Sequence, residues 1–245
     1  MTAIFKKEIQ SFFSSATGYL VIGIFLLISG LFLFVFSGNY NILDYGFADL
    51  SSFFNLAPWI FIFLIPAITM KSFAEEKKMG TMEILLTRPI GKWNLVLGKF
   101  FGTFTLSILA LIPTLIYVYS IYQLGDPIGN LDVGATLGAY LGLLLLAASY
   151  TAIGLFASAL TNNQITAFII AIFLCFFCFF FFEGLANYQL IENSVYGIEY
   201  LGISYHYKSM SRGVIDTRDL VYFLSLIILF ISLTYIKISS KLKTQ

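Results

Sequence analysis

Residues 165–182 read I-T-A-F-I-I-A-I-F-L-C-F-F-C-F-F-F-F, eighteen consecutive positions without a charged side chain. An α-helix rises about 1.5 Å per residue, so roughly 20 residues cross the ~30 Å hydrocarbon layer of a bilayer. A helix that is apolar on every face has no side to turn toward water. The stretch is therefore predicted to be a membrane span. Working outward from it, five more stretches qualify on the same grounds: 18–36, 54–70, 100–122, 135–160 and 220–238. The run 54–70 is short and holds Pro58 and Pro66, each of which frees a backbone carbonyl that a neighbouring helix must satisfy in lipid. It is expected to be kinked and packed inside the bundle, and Pro113 predicts a bend in the third span.

Composition agrees with this reading. The chain has 245 residues, 59% of them hydrophobic and only 11% charged, about half the charged share of a typical water-soluble domain. The charges are gathered into short stretches between the long apolar runs, and the net charge of +1 gives no field that would attract nucleic acid. The first 36 residues place basic residues before an apolar run, as a signal peptide does. That run is too long for a signal sequence and no small-x-small site closes it, so a retained anchor is expected.

Orientation follows from lysine and arginine, which cytoplasmic loops retain. With the N-terminus inside, six spans place Lys6, Lys7, Lys71, Lys77, Lys78, Arg88, Lys92, Lys99, Lys237, Lys241 and Lys243 in the cytoplasm. Only Lys208, Arg212 and Arg218 fall outside. The reading is an all-α integral membrane protein with six transmembrane helices and both termini cytoplasmic. We treat residues 1–245 as one domain, because no repeat or linker divides them. Ile4, Phe5, Ile9, Phe12 and Phe13 share one face at helical spacing, so 1–17 is expected to lie as a helix in the interface. The extracytoplasmic loop 183–219, with Tyr188, Tyr196, Tyr200, Tyr205 and Tyr207, is expected to form short helices at the outer interface.

One cytoplasmic connection is large. Residues 71–90 begin K-S-F-A-E-E-K-K-M-G-T-M-E-I-L-L, and 72–86 reads as one helix ended before Pro89. Phe73, Met79, Met82, Leu85 and Leu86 are available to an apolar side, and Glu75, Glu76, Lys77 and Lys78 to a polar one. Spacing alone leaves two readings: a helix lying on lipid headgroups, or one seated in a groove of a partner protein.

The pattern E-E-K-x-x-G-T-x-E-x-L-L-x-x-P, here Glu75, Glu76, Lys77, Gly80, Thr81, Glu83, Leu85, Leu86 and Pro89, resembles the cytoplasmic coupling segment of ABC-2 type permeases. A second stretch, with His206, Ser209, Gly213, Asp216, Arg218 and Asp219, resembles the approach to the last span of the same permeases. The likeness covers essentially the whole chain. It implies a type V exporter-like permease architecture in a bacterial inner membrane. It also implies a separate ABC ATPase subunit that carries ATP and Mg, a second permease subunit (homo- or heterodimeric), and contact with membrane lipid. Glu75, Glu76, Lys77, Gly80, Thr81, Glu83, Leu85 and Leu86 would be the ATPase-coupling residues.

The chain has no G-x-x-x-x-G-K-[ST] with which to cradle phosphate. His206 is its only histidine, so no histidine-based metal set or serine–histidine relay can be built, and His206 is expected to have no chemical role. Cys175 and Cys178 are expected to be small packing residues. An ion-coupled carrier or channel, the principal alternative, usually buries an acid or lysine in a span, and no central charge is evident here. A non-transporting anchor or assembly factor is the other alternative. Ser107, Thr114, Ser149, Thr151 and Ser158 are expected to bond between helices.

Overall fold

The computed structural model describes residues 1–87, 91–187 and 199–240. Pro89, Tyr188, Tyr196 and the last five residues, and with them Lys241 and Lys243, lie outside that range, as does the side chain of Leu86. The described residues contain six helical stretches long and apolar enough to cross a bilayer: Ala16–Phe34, Ser51–Lys78, Lys92–Leu124, Val133–Leu160, Gln164–Ala186 and Thr217–Ser240. Five of the six expected spans fall within them, and the first, 18–36, runs two residues past the end of its helix. Six crossings place residue 2 and residue 240 at the same end of the bundle, called here the terminal end.

Helix α1 (Thr2–Phe13) precedes α2 (Ala16–Phe34), the first span; a single turn, α3 (Ile42–Tyr45), follows at the far end. The second span is α4 (Ser51–Thr69) continued by α5 (Lys71–Lys78), and α6 (Thr81–Thr87) leads toward the third, α7 (Lys92–Leu111) and α8 (Leu115–Leu124). Then come α9 (Val133–Leu160), α10 (Gln164–Asn187), a far-end helix α11 (Ile203–Ser211) and the last span α12 (Thr217–Ser240).

Helix α9 is the axis about which α4, α10, α11 and α12 pack. It starts where the Asp132 carboxylate accepts the Ala135 N–H at 2.9 Å, satisfying one donor that the first turn leaves unpaired. Its small residues set how closely its neighbours approach. A methyl group built on Gly142 would lie 2.7 Å from Met210 Cβ, and one on Gly154 would lie 2.1 Å from Thr69 Oγ1. Helices α2 and α10 are peripheral and expose Ile24, Leu27, Phe173, Phe176 and Phe181. Cys175 is fully buried in the main apolar core and Cys178 packs at its edge, which is the role expected of them.

The prolines act as the backbone rule requires. Pro58 cannot donate to the carbonyl of Phe54 one turn earlier, and the Tyr207 hydroxyl of α11 donates to that oxygen at 2.7 Å. Burial holds this phenol protonated well above the ordinary tyrosine range, so it stays a donor. Tyr207 is thus an interior residue, not the interfacial aromatic that its loop position suggests; Tyr205, two positions earlier, is exposed. Tyr207→Phe strands the freed carbonyl in an apolar core. We expect a loss of about 1–3 kcal/mol, read as a lower unfolding midpoint in detergent; an unchanged midpoint would refute the pairing's importance. Pro113 sits in a 3₁₀ turn, Ile112–Thr114, that divides the third span into α7 and α8.

The buried hydroxyls behave differently from the expectation. Ser107 donates to the Thr103 carbonyl and Thr151 to the Ala147 carbonyl, each one turn back in its own helix. Ser149 Oγ has no partner among the described residues. A mid-helix serine or threonine finds an acceptor within its own turn, so most of these side chains need no neighbour. Of the five expected to do so, Thr114, which meets the Tyr140 hydroxyl at 3.1 Å, and Ser158 reach across helices.

Candidate functional site

At the terminal end the second span does not run straight into the loop. It breaks at Met70, and Ser158 of α9 fills the break. Its hydroxyl accepts the N–H groups of Phe73 at 3.0 Å and Ala74 at 3.1 Å and donates to the Met70 carbonyl at 3.0 Å. Lys77 donates to the Ala159 carbonyl beside it. Helix α5 is thereby rooted on the end of α9, where helix polarity leaves carbonyls in need of donors.

The segment 72–86 is not one helix. After α5 the chain turns through Gly80, whose φ of +70° lies in the left-handed region that glycine enters without strain, and α6 begins at Thr81. This break redistributes the faces read from the sequence. Phe73 is fully buried in the bundle and unavailable to a partner, and Met82 is also buried. Glu76, assigned to the polar side, is turned inward and is 8% exposed. Lys78, Met79, Gly80 and Glu83 form the exposed tip, with Met79 67% exposed. Glu75, Thr81 and Leu85 are half-buried, and Thr81 Oγ1 donates to the Glu76 carbonyl at 3.3 Å.

Beneath the tip lies a charge cluster that the sequence reading missed. Lys99 of α7 is 1% exposed, and its ammonium lies 2.6 Å from Glu8 Oε1, 3.0 Å from Glu76 Oε1 and 2.6 Å from the Ser72 carbonyl. Lys7 donates to the same Glu76 oxygen at 2.6 Å. The one available signal was a lone lysine in the apolar run L-V-L-G-K-F-F-G, which the expected span start at residue 100 left just outside. Helix α1 also has a fixed seat on the bundle. It packs along α7 on Gly98 and Gly102, where added methyl groups would sit 3.0 Å from Ile4 Cβ and 2.8 Å from Glu8 Cβ.

The second motif is assembled at the far end. His206 is buried, with Nδ1 2.7 Å from Asp219 Oδ1 and Nε2 2.8 Å from the Tyr200 carbonyl, and its ring stacks on Tyr222. A carbonyl only accepts, so Nε2 donates to it, and Nδ1 meets the carboxyl group. The pair ties α11 to the start of α12. Asp216 Oδ1 accepts the Arg218 N–H at 2.9 Å and turns the chain into α12, while the Arg218 side chain faces outward. Gly213, with φ of +83°, lets its backbone lie directly against α9. Ser209 lines a polar hollow beside these residues. The motif thus gathers His206, Gly213 and Asp219 for packing and Asp216 for capping, and it holds no nucleophile with a base.

Among the described residues no group of three or more histidine, cysteine, aspartate or glutamate side chains could hold a metal ion. A bundle of six spans, rooted at one end on a protruding charged turn and held at the other by hydrogen bonds, defines a multi-pass membrane subunit. The family model for the ABC-2 family transporter protein matches residues 2–240, and the chain belongs to that family. Its members are membrane components of transporters that work with an ABC ATPase. A comparison with curated proteins finds none that matches the chain.

Proposed function

We propose that the chain is the permease subunit of an ATP-driven exporter and that residues 71–90 transmit motion from a separate ATPase. The observation that carries this reading is the division at Gly80: an exposed tip of Lys78, Met79 and Glu83 stands on a root whose Phe73, Glu76 and Lys77 are fixed into the spans. A force applied to such a tip reaches the second, third and fourth spans directly. The terminal end then faces the cytoplasm, as the lysine and arginine distribution requires. For nucleotide to drive the spans, the tip must contact the open and closed ATPase with different free energy, since equal contact shifts nothing. ATP and Mg belong to that partner, and a second permease subunit completes the pathway. At the level of the individual protein, the two motifs resemble the permease subunit of the gliding-motility ABC transporter of bacteria, which would place the complex in the inner membrane.

The test is a double substitution, Met79→Asp with Glu83→Ala, at exposed positions that leave the root intact. We expect retention of the ATPase on the purified permease to fall about tenfold or more, the size of one or two lost interface anchors. Undiminished retention with undiminished nucleotide-coupled activity would refute the assignment. So would modification of a cysteine placed at position 78 by an impermeant reagent on intact cells. A wild-type chain that retains no ATPase would favour an ion-coupled carrier or a membrane anchor.

A further inference from the structure

We infer that Lys99 is a positioning residue for energy transmission: it pins α1, the coupling root α5 and the start of the third span into one body that moves as a unit. The inference rests on the proposed coupling role of residues 71–90.

The Lys99 ammonium donates to Glu8 Oε1 and to the Ser72 carbonyl at 2.6 Å each, and Glu76 Oε1 pairs with it at 3.0 Å. Those oxygens belong to α1 and α5, while Lys99 itself is on α7. Lys7 supplies a second cation to Glu76, so two positive and two negative charges balance within one cluster. The Phe73 ring lies 5.0 Å from the Lys99 ammonium and closes one side of it. With Lys99 1% exposed, water cannot replace a lost partner at its centre. Separating any of the three helices would strand a charge in an apolar setting, which proteins strongly resist.

Shape reinforces charge. Gly98 and Gly102 seat the Ile4 and Glu8 side chains of α1 directly on the α7 backbone, so sliding α1 would also forfeit close packing. A cluster that only fixed topology would not need the link to α5. The arrangement is the one required if a pull on the tip is to carry α1 along without loss at the joint.

The experiment uses the intact permease–ATPase complex, with Cys175 and Cys178 replaced by alanine. Spin labels are placed on cysteines at Thr2 and Lys78, both exposed, and in a second sample at Lys78 and the exposed far-end Leu124. Distances are measured without nucleotide and with the ATPase trapped by ATP and vanadate. We expect the 78–124 distance to change by about 2–5 Å, the scale of helix shifts at moving interfaces, while the 2–78 distance stays fixed. In Lys99→Met the 2–78 distance should broaden and shift on trapping. The double variant Glu8→Gln with Lys99→Met removes one charge of each sign and should loosen α1 in the same way while leaving the Lys7–Glu76 pair. A wild-type 2–78 distance that changes as much as 78–124 would overturn the inference, as would either variant that keeps 2–78 fixed. A wild-type 78–124 distance that ignores nucleotide would instead sink the coupling reading, and this inference with it.

Discussion

Gly213→Val is expected to remove a large share of the protein's stability. The backbone at Gly213 has a φ of +83°, and a Cβ added there would lie 2.4 Å from Ala135 Cα and 3.0 Å from the Ala135 carbonyl oxygen. Both are backbone atoms of α9 and cannot swing aside as the end of a flexible side chain can. The contact is mutual, since a methyl on Gly138 would lie 2.8 Å from the Gly213 oxygen. The left-handed conformation costs a residue bearing a Cβ about 1–2 kcal/mol, and forced overpacking adds about 1–3 kcal/mol. Together they remove roughly 2–5 kcal/mol from a total stability that in most proteins is about 5–15 kcal/mol. The measurement is the fraction of monodisperse protein surviving a heating series in detergent. Gly46→Ala is the control: its φ is +75° but nothing lies within 4 Å of an added Cβ, so it pays the backbone cost alone. If Gly213→Val were no worse than Gly46→Ala, the close approach of α9 to the turn before α12 would not be a source of stability.

Ser158→Ala should have the second-largest effect, for a different reason. One hydroxyl serves two N–H groups and one carbonyl at the break between α4 and α5. Alanine leaves these groups buried with no replacement, and each unsatisfied backbone group costs about 1–3 kcal/mol. Partial relaxation of the turn should hold the net loss to about 2–4 kcal/mol. The loss should also be local, so amide exchange at Phe73 and Ala74 should accelerate well before the core of α9 exchanges. Unaltered protection of those two amides would show that Ser158 is not what roots the protruding segment.

How far the sequence could be read depends on the range of the interaction concerned. Span number follows from uninterrupted apolar length, a local property, and all six spans were legible. The strain at Pro58 was also legible, because a missing N–H always orphans the same carbonyl. Its partner was not, since Tyr207 lies 153 positions from Phe54. Residues 72–86 were misread for the same reason. Periodicity put Glu76 on a solvent face, but its partners are Lys7, 69 positions away, and Lys99 on another helix. A helical wheel carries no information about which face a distant lysine will claim. At the far end, the resemblance picked out His206, Gly213 and Asp219 without a cause. The coordinates supply one in a hydrogen-bonded clasp and a backbone-on-backbone crossing. His206, a residue of the outer loop, is buried with its ring bridging Asp219 and the Tyr200 carbonyl.

The contrast between α9 and α10 has a consequence for ancestry. The outward phenylalanines of α10 pack against other phenylalanines of the same helix, so descendants could exchange them for leucine or isoleucine with little penalty. Gly138, Gly142 and Gly154 of α9 have no such freedom, because each is shaped to a particular partner. Over generations the more conspicuous of these two helices should drift, and the plainer one should keep its spelling.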